Sequence, residues 1–391
     1  MKTSAFLLFI SLALLIYASI NTYVFVRTFQ ALPATLPLRS FYVALFLLLA
    51  ISFIAGRILE QNAPGALSTL LVWIGSFWFS MLLYGFLFCL TVDLIRLVHH
   101  IVPFLPQPVS SPPERIKSIL LVLALMLIAT LHIVGFLQAR RLHIREISLT
   151  LPARQSSLSE LHVAVASDFH LGTIIGRRRL QVILERLNQG QPDLVLLIGD
   201  ILDEDPQSAI RQKLDEMLRL SLNPRLGTFA VTGNHEYIGS IHKTAPFLAS
   251  AGITLLRDSI HTISNGLRLV GREDLAAERF FGQSRKPLGD ILSGNTADLP
   301  LIVMDHQPAR IQEAAEAGAD LLLCGHTHAG QFWPINLIVN RLFRFAYGYG
   351  KMENLSVYVS SGAGTWGPPI RLSASPEVVH LRLHFQREKR L

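Results

Sequence analysis

The stretch Leu321–Trp333, "LLLCGHTHAGQFW", decides how the rest of the chain is read. A short apolar run meets Gly325 and then His326 and His328, two residues apart. Apolar runs of this length mark strands buried on both faces, and in open α/β sheets ligands gather where such strands end. Alone, the histidine pair is ambiguous, since a histidine after a strand is commonly a hydrogen-bonded surface or core residue. Four other runs end the same way. "LHVAVASDFH" (Leu161–His170) closes on Asp168 and His170, and "DLVLLIGDILD" (Asp193–Asp203) on Asp200 and Asp203. "GTFAVTGNHE" (Gly227–Glu236) delivers Asn234 and His235, and "LPLIVMDH" (Leu299–His306) delivers His306. Five strand ends thus bring carboxylate, imidazole and amide groups toward one edge of a sheet. The runs "GITLLRD", "LRLVG", "LSVYVSSG" and "EVVHLRL" continue the alternation of strands with polar-faced helical segments, the pattern of an α/β or layered mixed-sheet unit.

The donor types restrict the chemistry. Nitrogen and oxygen ligands without thiolate disfavour a structural cysteine-type zinc site and suit Mn²⁺, Fe or catalytic Zn²⁺. So many donors would overfill one ion, whereas two ions about 3.5–4 Å apart that share a carboxylate would use them. Glycines before Asp200, Asn234 and His326 fit a chain that turns sharply at each strand end and brings its backbone close to the ions.

The first part of the chain is of another kind. Of 391 residues, 50% are hydrophobic, and the mean hydropathy is +0.40, too apolar and too long for one soluble domain. Four runs meet the length rule for bilayer-spanning helices, about 20 apolar residues: Ala5–Val26, Phe41–Ala55, Ala66–Leu90 and Ile119–Leu137. No small-residue cleavage site follows the first run, so a retained anchor is expected rather than a signal peptide. Lys2, Arg57, Arg140, Arg141 and Arg145 fall on one side of the membrane and Arg27, Arg39, Arg96, Arg115 and Lys117 on the other. That balance leaves only a lean to a cytoplasmic C-terminal part, from Arg140 and Arg141 set directly against the last span. The spans carry no acid or base in their apolar middles, which argues for an anchor over a transporter.

Residues 101–118, rich in proline and serine, read as a loop between the third and fourth spans. The organisation expected is a transmembrane anchor over 1–140, a linker over 141–160 and a separate unit over 161–385. The net charge of +7 suits an anionic membrane surface or phosphate-bearing substrates, and equally loop topology alone. Cys89 and Cys324 are not expected to pair. No groove of basic and stacking residues points to nucleic acid.

The ordered set D-x-H, G-D-x-x-D, G-N-H-[DE], H and G-H-x-H is present as Asp168-Phe169-His170, Gly199-Asp200-Ile201-Leu202-Asp203, Gly233-Asn234-His235-Glu236, His306 and Gly325-His326-Thr327-His328. It resembles that of the calcineurin-like metallophosphoesterases, over about Leu161–Leu383. The tail "VYVSSGAGTWGPPIRLSASPEVVHLRL", with "GHTHAGQ", is most similar to a bacterial membrane-linked branch of that family. The resemblance implies a fold: behind the helical transmembrane region, a four-layer α/β/β/α sandwich with two mixed sheets. It implies Asp168, His170, Asp200 and His328 around one divalent ion and Asp200, Asn234, His306 and His326 around a second, with Asp200 shared. Manganese comes first as the metal, with iron or zinc as alternatives. His235 would donate a proton to the leaving oxygen or stabilise transition-state charge, oriented by Asp203, and Glu236 stands where aspartate is commoner. The implied activity is hydrolysis of a phosphomonoester or phosphodiester, by a water activated between the ions and attacking phosphorus in line. The anchor favours a lipid-linked substrate. A membrane sensor or scaffold that binds a phosphorylated ligand uncleaved is the alternative, and the complete donor set argues against it.

Three further stretches have two readings each. Arg177, Arg178 and Arg179 in "GRRRL" are either a substrate-phosphate clamp or a solvated basic first turn of a helix. "REDLAAERFFGQSRKPL" (Arg272–Leu288) is an interfacial loop or a plain surface loop with core phenylalanines. "NRLFRFAYGYG" (Asn340–Gly350), aromatic and basic beside the His328 loop, lines the substrate entrance or is surface only. His99, His100 and His132, at or within spans, read as structural or interfacial, with a proton or metal path through the membrane as the alternative.

Overall fold

The structure is a computed structural model that describes residues 3–33, 35–106, 113–264, 266–294 and 298–387. Two compact units divide near residue 137. The first contains α1 (Thr3–Ala31), α2 (Leu36–Asn62) and α3 (Ala66–Ile101), and the helix α4 (Glu114–Arg140) begins in it. Four helices here are long and apolar enough to cross a membrane. α3 continues eleven residues past Leu90, where its span was expected to end, because Asp93 and Arg96 do not break a helix. Proline does: Val102 precedes Pro103 and is extended, at φ −126° and ψ 98°. Part of the expected loop, residues 107–112, lies outside the described residues. Two histidines of this unit, His99 and His132, are tied into hydrogen bonds. His99 Nδ1 accepts the N–H groups of Phe104 and Leu105, both at 2.9 Å, and His132 is bonded through its two nitrogens to Ser80 Oγ at 2.8 Å and Ile128 O at 2.7 Å.

The second unit is built on two six-stranded sheets. The first runs in the order β1 (His143–Pro152), β12 (Glu377–Gln386), β2 (Glu160–Ala166), β3 (Leu194–Ile198), β4 (Thr228–Val231) and β5 (Thr254–Leu256). The second runs β10 (Gly348–Met352), β11 (Leu355–Val359), β9 (Leu321–Cys324), β8 (Leu301–Met304), β7 (Leu267–Gly271) and β6 (Ser259–Ile263). Both are mixed: β2 to β5 are parallel while β12 is antiparallel to β2, and β7, β8, β9 and β11 are parallel between antiparallel edges β6 and β10.

Alternation within each run makes the layers. In β3, Leu194, Leu196 and Ile198 meet Leu269, Ile302, Met304 and Leu323 of the second sheet in one core. Val195 and Leu197 point the other way, into a core with Leu180, Ile183 and Leu187 of the helix Arg177–Leu187. On the far side Val303, Leu322 and Cys324 pack with Ile311 and Ala314. Burial on both faces explains the unbroken apolar runs, and each such side chain contributes roughly 1.5–3 kcal/mol on leaving water.

Two expectations are corrected. Residues 143–152 are not part of a linker but form β1, parallel to β12 through ten paired positions. "HIREISLTLP" alternates because it is a half-exposed edge strand, and its solvent-facing polar residues gave it the look of a connector. The ligand-bearing runs do not share one sheet edge either, since β2, β3 and β4 belong to the first sheet and β8 and β9 to the second.

Candidate metal centre

Each candidate ligand sits two to four residues beyond a strand, and five of the seven sit in turns that the backbone must strain to make. Asp168, His170, Asp200, His326 and His328 all have positive φ, between 48° and 71°. Non-glycine residues there cost on the order of 1 kcal/mol or more each and cluster at functional sites. Gly233 is required by close approach, since a Cβ there would collide with the Asp200 carboxylate and lie 2.6 Å from its main-chain nitrogen.

The side chains converge in two groups whose donor atoms lie within 4.8 Å of one another: Asp168, His170 and His328, and Asp200, His306 and His326. Asp200 also groups with His170 and His235. His170 Nε2 faces His328 Nε2 at 3.0 Å, and Asp168 Oδ1 lies 3.5 Å from His328 Nε2. Asp168 is fixed by the His326 N–H, 3.1 Å from both carboxylate oxygens. On the other side His306 Nδ1 is 2.7 Å from the Ile198 carbonyl, so the proton belongs there. Its Nε2 faces Asp200 Oδ2 at 3.1 Å, where either a proton or a cation must lie between the two atoms. Burial lowers the His306 pKa, but the Asp200 charge outweighs it and raises it well above the ordinary value, so without a cation a proton takes that place. Asn234 Oδ1 is buried with no hydrogen-bond partner among the described residues. These are the marks of residues shaped around cations.

Electrostatics agree. Burial pushes His170 down to about 3 and His326 to about 4, and holds His328 well below its ordinary value. Neutral imidazoles keep the lone pairs that a metal needs. Burial pushes Asp168 up to about 6. For Asp200 burial works the same way, but the neighbouring His306 and His235 outweigh it and hold the carboxyl well below its usual range. His235 Nδ1 lies 3.9 Å from Asp203 Oδ1. Burial lowers its pKa, yet the charges of Asp200 and Asp203 win and raise it.

A cavity of 330 Å³ opens over this cluster. Asp200, Asn234, His235, His326 and His328 form one wall and Phe332, Ile335, Val339 and Trp366 an apolar one. The sequence pattern did not flag the residues that frame it. Gln331 pins Trp366 by accepting its N–H at 3.0 Å and donating to its carbonyl at 2.9 Å. Arg371, fully buried, donates to the Ser361 carbonyl at 2.6 Å and the His328 carbonyl at 3.2 Å, and Nη2 lies 3.2 Å from His328 Nδ1. Burial pulls its pKa down to about 10. Both come from segments without strand or helix period. The Glu236 carboxylate accepts four main-chain N–H groups, from Asp200, Ile201, Leu202 and Gly233, at 2.7–3.1 Å.

The arginine triplet is placed elsewhere. Arg177 donates to the Gln212 carbonyl at 2.8 Å, and Arg179 to the carbonyls of Arg140 and Ala363 at 2.9 and 3.0 Å. Arg178 is exposed, and none of the three lines the cavity. Arg272–Leu288 is a clasp: buried Arg272 pairs with Asp258 and Glu313 at 3.2 and 3.1 Å, and Arg285 with Asp305 at 2.6 Å.

Two facing sheets bring carboxylates and imidazoles together in an arrangement that could hold metal ions, and comparison with known proteins agrees. The model of the calcineurin-like phosphoesterase family matches residues 161–330. A protein of Aquifex aeolicus, described as an uncharacterized metallophosphoesterase, is 33% identical over 223 residues, covering 56% of this chain and 84% of its own. One of Helicobacter pylori with the same description is 35% identical over 229 residues, 57% of this chain and 60% of its own. A Danio rerio transmembrane protein with metallophosphoesterase domain is 32% identical over 275 residues, 67% of this chain and 62% of its own. The chain belongs to the calcineurin-like phosphoesterase family. It spans about 60% of the length of the Helicobacter and Danio relatives.

Proposed function

We propose that the chain is a membrane-anchored, metal-dependent phosphoesterase that hydrolyses a phosphomonoester or phosphodiester. The observation that carries this reading is the pair of carboxylate–imidazole groups, brought together from four strand ends of two sheets. Asp168, His170, Asp200 and His328 would hold one divalent ion and Asp200, Asn234, His306 and His326 a second, manganese foremost with iron or zinc as alternatives. Such ions polarise phosphoryl oxygens and lower the pKa of bound water.

The chain's own groups do the rest. His235 stands at the wall of the cavity, 3.9 Å from Asp203, with a raised pKa that keeps a proton available for the leaving oxygen. Asp203 orients the imidazole as a neighbouring carboxylate does. The apolar wall of Phe332, Ile335, Val339 and Trp366 favours an ester whose alcohol part is hydrophobic, in keeping with a lipid-linked substrate. His235→Asn is expected to lower turnover of p-nitrophenyl phosphate esters by about 10²–10⁴ with the metal content unchanged. Unchanged turnover, or a loss of metal, would remove His235 from this role. The second unit is assigned to the cytoplasmic side from Arg140 and Arg141 at the end of α4. A C-terminal alkaline phosphatase fusion tests this, and strong activity of the exported reporter would reverse the assignment.

A further inference from the structure

Part of the apolar wall of the cavity comes from a helix whose apolar side chains continue beyond the cavity into solvent. The helix Ile335–Leu342 turns Ile335 and Val339 to the cavity, one helical turn after Phe332. It buries none of its residues fully, whereas among the described residues every other helix of eight or more in this unit does. Its outward residues are large and apolar. Leu337 is 56% exposed, Ile338 57% and Leu342 73%, and the preceding Trp333 is 57% exposed. Single exposed hydrophobics are normal, but four within ten residues form a patch that marks an interaction surface. Exposed Arg341 and Arg344 flank it.

We propose that the outer face of Trp333–Leu342 lies against the bilayer surface and passes an amphiphilic phosphoester, a lipid with a phosphate head, from the membrane to the cavity. The bilayer is the occupant that the chemistry fits. Tryptophan and leucine side chains insert at the headgroup boundary while arginines meet anionic lipid heads, the composition of an interfacial helix. The chain carries four apolar helices able to span a membrane, so a lipid surface is within reach of every copy. The same short helix serves both places: its exposed residues contact lipid, and Ile335 and Val339 line the cavity that His235 also lines. The choice of lipid phosphoester rests on the phosphoesterase reading above, and the membrane contact does not.

The test uses the full chain reconstituted in phosphatidylglycerol vesicles containing a phospholipid with a photoreactive acyl chain. Peptide mapping is expected to find lipid adducts on residues 333–342 as well as on the four spans. In the triple variant Leu337→Asn, Ile338→Asn, Leu342→Asn, none of which lines the cavity, adducts on this segment fall by about tenfold while those on the spans stay. Turnover of bis-p-nitrophenyl phosphate is unchanged in that variant, and turnover of long-chain phosphatidic acid in the same vesicles falls by about tenfold. Adducts confined to the spans, or links from this segment to a second copy of the chain, overturn the membrane contact. Equal losses on the soluble and the lipid ester overturn the delivery role. A wild-type chain that labels at 333–342 but cleaves neither ester leaves the contact standing and sinks the phosphoesterase reading instead.

Discussion

Glu236 joins two turns with one carboxylate. It receives the N–H groups of Asp200, Ile201 and Leu202 from the turn after β3 and of Gly233 from the turn after β4, so the Asp200 and Asn234 turns move as one body. Burial and the Asp200 charge push its pKa up to about 7, against the pull of those donors. Removing it strands buried N–H groups, so Glu236→Ala should lower stability by about 3 kcal/mol or more and metal affinity by about 10–100-fold. Glu236→Asp keeps the charge but is one methylene short of spanning both turns, and should fall between. Melting and metal titration check this, and an alanine variant that matches the parent in both would show that the turns hold without it. The candidate ligands were legible because each follows an apolar run by two to four residues, a purely local signal. The work of Glu236, Gln331 and Arg371 was not, because it exists only where turns distant in sequence meet. The placement of Arg177 and Arg179 was hidden for the same reason: their charge is visible in sequence, but the carbonyls of Gln212, Arg140 and Ala363 to which they donate are not.

At the scale of elements, the nine apolar runs seen in the sequence are the nine strands β2, β3, β4, β5, β7, β8, β9, β11 and β12. The three that gave no such run, β1, β6 and β10, are all sheet edges, with one face in water and therefore mixed in composition. Every covered central strand announces itself, and of the four edges only β5 does. The β2–β12 ladder also carries a pH-sensitive pair. His380 Nε2 donates to the Arg186 carbonyl at 2.9 Å, so its Nδ1 must accept from His162 Nε2, also at 2.9 Å. Both rings are neutral in this arrangement, and burial holds both pKa values below the ordinary histidine value. As pH falls below about 6.5 the unfolded chain binds protons first, so the pair's contribution is complete above that value and is lost progressively below it. The melting temperature of the wild type should therefore drop more between pH 7 and pH 5 than that of His162→Gln/His380→Gln. An equal drop in both would show that the pair does not titrate as described.

At the scale of the molecule, the membrane half and the phosphoesterase half were legible for different reasons. Span length follows from bilayer thickness, so composition alone revealed four helices. Where α3 ends followed instead from Pro103, and where the second unit begins followed from an edge strand taken for a linker. The central claim is that the chain folds around two ions sharing Asp200 and uses them on a phosphoester. The most direct measurement is metal content and hydrolysis of bis-p-nitrophenyl phosphate on the same preparation of the full chain, wild type beside Asp200→Asn. The expected result is about two divalent ions per chain with metal-dependent turnover in the wild type, and loss of both in the variant. Turnover indistinguishable between the two, or two bound ions with no ester cleaved, would contradict it, the latter outcome leaving a membrane protein that binds its phosphorylated ligand without cutting it.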